Sequence, residues 1–92
     1  MNKKVSDMYL TGALKASGIE ILEVDRTNER RQEFIFKEGP NTVWILEDGQ
    51  VAKVEYADLD QIEMAYRCGK LMVSAEDYAN GLRSVKNMLY DK

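Results

Sequence analysis

The chain contains no histidine and only one cysteine, one proline and one tryptophan. Each shortage removes a class of chemistry. Without histidine, the commonest general base and the commonest metal ligand at neutral pH are both missing. The lone Cys68 allows no intrachain disulfide, and with no His/Cys cluster there is no zinc staple. No G-x-G-x-x-G or Walker-type glycine loop occurs, so no phosphate cradle of those kinds is encoded. No apolar run approaches the roughly 20 residues that span a bilayer, so no membrane partner is expected. The leading Met1-Asn2-Lys3-Lys4-Val5-Ser6-Asp7 is basic, then polar, with no apolar stretch behind it, and no secretion signal is expected. A cytoplasmic location follows by elimination. The chain reads as a non-enzyme, and neither a cofactor nor a metal is expected.

What remains is ordinary for a folded domain. Hydrophobic residues make up 45% of the 92 residues and charged residues 32%, too apolar for a disordered chain and room for one domain over 1–92. A core of this size supplies about 3–5 kcal/mol without staples, so a homo-oligomer is expected. The net charge is -3, unevenly placed: residues 47–63 hold Glu47, Asp48, Glu55, Asp58, Asp60 and Glu63 against Lys53 alone. A pI near 4.9 argues against indiscriminate nucleic-acid binding but leaves room for a local basic site.

The pattern predicts a helix from Asp7 to about Ser17, capped by Ser6 and closed by Gly18. Gly12 either weakens it or admits another backbone. Ile19–Val24 reads as a strand whose alternation slips at Ile21-Leu22, the mark of a bulge or of burial on both faces. Gln32–Lys37 follows as its antiparallel partner, with Phe34 and Phe36 on one face and Ile35 on the other. After Gly39-Pro40-Asn41, a second hairpin is predicted from Thr42–Leu46 and Val51–Tyr56 around Asp48-Gly49. A helix over Leu59–Cys68 carries an Asp58/Gln61 capping box and ends at Gly69. Leu71-Met72-Val73 reads as an extended connector. A last helix starts at Ser74, with Asp77 in the capping-box position and Tyr78, Leu82, Val85 and Leu89 as its apolar stripe. The expected fold is α+β in the order α-β-β-β-β-α-α, a small antiparallel sheet of about four strands with three helices on one face.

Few residues point to a site. Cys68 reads as a small buried filler at a helix end, where the helix dipole disfavours a thiolate. Asp58 and Asp60 are the obvious carboxylate pair for a hard cation, yet Asp58 is better explained as a cap. Arg26, Arg30 and Arg31 flank a hairpin turn and either reach phosphates, helped by Thr27 and Asn28, or pair locally with Asp25 and Glu29. Trp44, Tyr56 and Tyr66 either pack inside or form an exposed anchor patch. The acids from Glu47 to Glu63 either face solvent or present a negative surface to a basic partner. The candidate protein-interaction set is Trp44, Glu47, Asp48, Glu55 and Tyr56. The alternative nucleic-acid set is Arg26, Arg30 and Arg31.

The order of features carries a resemblance. A short helix with Met8-Tyr9-Leu10 leads to Gly18 and an Ile-rich strand; an acidic-basic turn and Phe34-Ile35-Phe36 follow. Then come Tyr66-Arg67-Cys68-Gly69, Val73-Ser74-Ala75 and Leu82-Arg83-Ser84-Val85-Lys86. Over residues 6–38 and 58–90 the chain resembles a family of short uncharacterised proteins, a domain of unknown function found in phages, prophages and other mobile elements. Residues 39–57 depart from that pattern as an extra central hairpin. The resemblance implies a viral or mobile-element accessory protein in a bacterial host and brings no active-site residues with it. By analogy, an inhibitor of a host factor or defence system, working by protein-protein contact, fits the size, acidity and lack of chemistry. A nucleic-acid-binding module is the alternative.

Overall fold

The computed structural model describes residues 2–27, 30–39 and 41–90 and, of Tyr56, the backbone alone. The elements run β1 (Asn2–Val5), α1 (Met8–Ala16), β2 (Ile21–Asp25), β3 (Glu33–Lys37), β4 (Asn41–Glu47), β5 (Gln50–Ala57), α2 (Leu59–Arg67), β6 (Leu71–Met72) and α3 (Ala75–Tyr90). The α+β class and the three helices match the sequence reading. The strands do not form one sheet of four but two antiparallel sheets of three, ordered β1-β3-β2 and β5-β4-β6. The reason lies in β3. Both of its edges are taken, by β1 and by β2, so β4 has no free edge there and begins a second sheet.

Two strands are additions to the expected order. Asn2–Val5 has almost no apolar signal of its own and is extended because it completes the edge of β3, pairing Val5 with Phe34 and Lys3 with Phe36. Leu71–Met72, read from sequence as a connector, docks on β4 with Met72 opposite Trp44 and Leu71 opposite Ile45. The Leu46 amide extends that pairing to the Lys70 carbonyl at 2.8 Å. The slip at Ile21-Leu22 is a register shift between Ile21 and Glu23 in the β2-β3 pair.

The helix ends follow local chemistry, with one correction. The cap of α1 is Asp7, not Ser6: its carboxylate accepts the Tyr9 and Leu10 amides at 2.9 and 3.2 Å. A carboxylate answers two helix N–H groups and the positive helix end better than a neutral hydroxyl. Ser6 instead accepts a hydrogen bond from Arg31 at 2.9 Å. The α2 capping box forms as read: Asp58 accepts the Gln61 amide at 2.8 Å and Gln61 accepts the Asp58 amide at 2.9 Å. Ser74 accepts the Asp77 amide at 3.0 Å and starts α3.

Gly18 and Gly69 close α1 and α2 with the same paired bonds. Ile19 N–H donates to Leu14 C=O and Gly18 N–H to Lys15 C=O; Lys70 N–H donates to Ala65 C=O and Gly69 N–H to Tyr66 C=O. The second of these motifs overturns the buried reading of Cys68. Cys68 is the cap residue and lies exposed, about 120° around the helix from the apolar face of Leu59, Ile62 and Ala65.

One core joins both sheets to the helices. Leu10 and Leu14 of α1, Phe34 and Phe36 of β3, Val43 of β4, Leu59 and Ile62 of α2 and Val85 of α3 share a single buried cluster. Ile35 is buried on the opposite face of β3, flanked in register by Lys4 and Glu23, whose aliphatic stems can cover it. Helix α3 crosses α1 closely. A Cβ on Gly81 would stand 2.8 Å from the Gly12 carbonyl oxygen. Of the two readings of Gly12, close backbone approach is the one realised.

Candidate functional site

The second sheet has two unlike faces. Its registers pair Val43 with Val54 and Ile45 with Ala52 and Leu71; of these, Val43, Ile45, Val54 and Leu71 belong to or pack against the core. Alternation puts Trp44, Leu46, Val51, Lys53 and Met72 on the other side, where Trp44 pairs with Lys53 and Met72, and Leu46 with Val51. That face is open to solvent: Trp44 is 50% exposed, Val51 52% and Met72 37%. Trp44 is therefore half-exposed on this face and not a core residue. Glu55 lies beside Lys53, with which it forms an ion pair at 3.5 Å, at the start of a register shift between Val54 and Ala57.

The tip of this hairpin is acidic and tightly turned. Glu47 pairs with Gln50 across Asp48-Gly49, and both turn residues have positive φ, 50° and 78°, as a type I′ turn requires. Glu47 and Asp48 are exposed there. The rest of the acidic stretch is used internally. Asp58 caps α2; Asp60 bonds to Lys3, which also lies 3.2 Å from Glu63, and Glu63 bonds Arg67 at 3.0 Å. Asp60 holds the Lys3 ammonium above its ordinary pKa, and Arg67 holds the Glu63 carboxyl below its own. These contacts clip β1 to α2. The free negative surface is thus smaller than the composition suggests.

The sequence-predicted interaction set is partly assembled. Trp44 and Glu55 share the open face, with Glu47 and Asp48 at its end; the Tyr56 side chain lies outside those described. Tyr66 does not join them. It packs against the core from α2, where burial and then the nearby Asp7 carboxylate and Tyr78 push its phenol pKa up. Nothing in the sequence marks Met72 for this face, because a two-residue strand carries no periodicity. Val51 and Leu46 were visible as strand residues, but which face they take depends on the pairing.

The basic turn is divided among different tasks. Arg26 donates to the Met88 and Leu89 carbonyls, the latter at 3.2 Å, and to Gln32 at 3.3 Å. It therefore satisfies the C-terminal carbonyls of α3, a role a guanidinium suits. Of the local ion pairs offered for this turn, the one through Asp25 is not formed among the described residues. Its carboxylate accepts from the Thr27 hydroxyl and amide and from Lys4 at 2.9 Å, which holds its pKa well below the usual range. Asn28 and Glu29 lie outside the described residues. Arg30 and Arg31 line a cleft of about 350 Å³ together with Ser6 and Gln32, over apolar walls that include Phe34 and Tyr90.

Among the described residues, no group of three or more His, Cys, Asp or Glu is placed to hold a metal ion, and no helix is long and apolar enough to cross a membrane. The chain matches no protein-family model, no curated protein and no solved structure.

Proposed function

We propose that this is a non-enzymatic accessory protein of a phage or mobile element, acting in the host cytoplasm by binding a protein through the open face of its second sheet. The observation that carries this reading is the half-exposed Trp44 seated between Met72 and Lys53 on a three-stranded face. Aromatic residues in such settings are the usual anchors of interfaces. Glu47, Asp48 and Glu55 at its edge favour a partner with an apolar anchor rimmed by basic side chains. The resemblance to mobile-element proteins supports the biological setting, and a host defence protein is the narrower form of the partner. The hairpin carrying Trp44 is also the segment that departs from that family's pattern.

The test is parallel capture from host lysate on wild-type and variant protein, with melting temperatures measured for each. Trp44→Ala should weaken retention of one stoichiometric protein by at least about 2 kcal/mol, roughly 30-fold. The charge variant is Glu47→Lys with Asp48→Asn. Asparagine keeps the left-handed conformation of residue 48, which lysine would strain. It should also weaken retention while leaving the melting temperature nearly unchanged, since exposed charges contribute little to folding. Equal capture by all three proteins would show that this face is only solvated surface.

A second reading rests on the Arg30/Arg31 cleft. Two guanidiniums over an aromatic wall suit a phosphate-bearing strand whose base stacks on Tyr90, which is 82% exposed. Binding of a single-stranded oligonucleotide would then fall with salt by a log-log slope of about -0.7 per phosphate contact. Arg30→Ala with Arg31→Ala should flatten that slope. No binding at low salt to single-stranded or duplex nucleic acid ends this reading.

A further inference from the structure

The order β5-β4-β6 leaves β5 as an edge strand, eight residues long. We infer that this edge pairs with the same edge of a second copy, antiparallel and centred on Val54, so that Lys53 of each chain faces Glu55 of the other.

The backbone is arranged for this. In a two-residue hairpin the residues flanking the turn exchange both hydrogen bonds, here Glu47 and Gln50. Along β5, Gln50, Ala52 and Val54 then aim their amides and carbonyls at β4. Val51 and Lys53 turn theirs outward; the Lys53–Glu55 ion pair keeps Glu55 on the Lys53 side, and the extra residue of the β4-β5 register shift falls between Val54 and Ala57. An unpaired row of this kind is a template for another strand.

The side chains choose the register. Lys53 and Glu55 stand two apart on the same face and form an ion pair within one strand at 3.5 Å, both more than half exposed. An antiparallel two-fold centred on Val54 places Lys53 opposite the partner's Glu55, and Glu55 opposite the partner's Lys53. Centring on Lys53 instead sets lysine against lysine, and centring on Glu55 sets carboxylate against carboxylate. Directly opposed like charges destabilise a strand pair and directly opposed unlike charges support one, so of these three registers the charges favour the one centred on Val54. The result is a six-stranded sheet with both Trp44 faces on the same side. This pairing does not depend on the partner proposed above, and it makes the Trp44 surface bivalent.

Sedimentation at micromolar concentration should show a species of twice 10.6 kDa. Lys53→Glu puts two carboxylates opposite each other at both contacts, and Glu55→Lys puts two ammoniums there. Each variant alone should sediment as a folded monomer, with dimer affinity reduced at least tenfold. Mixed in equal amounts, the two should form a heterodimer, because every contact is again acid against base. The double variant Lys53→Glu/Glu55→Lys should recover the homodimer. A wild-type chain that stays monomeric overturns the inference. So do single variants that still dimerise, or monomeric single variants that fail to associate on mixing.

Discussion

Phe36→Ala should leave the protein largely unfolded at ambient temperature, the most damaging single truncation expected in this chain. Phe36 has no exposed surface and sits on the central strand of the first sheet, in register with Lys3 of β1 and Ile21 of β2. It belongs to the cluster that joins α1, α2 and α3 to both sheets. Phe→Ala in such a place costs about 3–5 kcal/mol, from lost transfer energy and the cavity left behind. A domain of this length holds only about 5–15 kcal/mol in all, and small cores lie at the low end. Urea denaturation followed by circular dichroism should find the folded baseline shortened or absent. Phe36→Leu keeps most of the volume and should fold with a lowered midpoint. A Phe36→Ala protein that melts like wild type would place the residue outside the cooperative core.

Gly81→Ala should destabilise by about 1–3 kcal/mol, the cost of overpacking a close contact. The sign makes the result diagnostic. In a helix interior, Gly→Ala ordinarily gains about 1 kcal/mol from backbone entropy. At Gly81 the new methyl would lie 2.8 Å from the Gly12 carbonyl oxygen and 3.5 Å from the Ala16 amide nitrogen. Both are backbone atoms of α1, so relief requires the two helices to move apart and Val85 to lose packing. Gly12→Ala is the control. Its methyl would meet Leu82 Cδ2 at 2.7 Å, the far end of a side chain that can turn away. Clash and helix propensity then nearly cancel, and the melting temperature should change little. If both substitutions raise the melting temperature, the crossing is looser than this geometry.

How much of this could be read in advance depends on where the information sits. The helix termini, the bulge at Ile21-Leu22 and the Asp48-Gly49 turn are local, because each is decided by neighbouring groups competing for the same backbone amides. The exception, Asp7 in place of Ser6 as cap, is a one-residue choice that Arg31 helps to make by engaging the Ser6 hydroxyl. The candidate site was legible only in part. Trp44 could be read as anchor or core with equal sense, since a strand residue's fate depends on which face its sheet buries. Arg26 looked like a phosphate ligand in the sequence, but its partners are carbonyls 62 and 63 positions away. Cys68 lies about 120° around the helix from the face of Leu59, Ile62 and Ala65, so its exposure follows from helical spacing.

By itself the sequence determined the class of protein: an α+β domain whose three helices and two central hairpins are written in capping residues, periodicity and turn chemistry. Those signals act over a few residues and survive out of context. Tertiary structure alone decided that there are two sheets, that Asn2–Val5 and Leu71–Met72 are strands, and that Gly12 meets α3. It also decided which side of β4 faces solvent, and so placed Trp44 on an open face rather than in the core. The physical reason is common to all of these. A strand's hydrogen bonds, unlike a helix's, are made with distant residues, so its partners and its buried face exist only once the whole chain has packed.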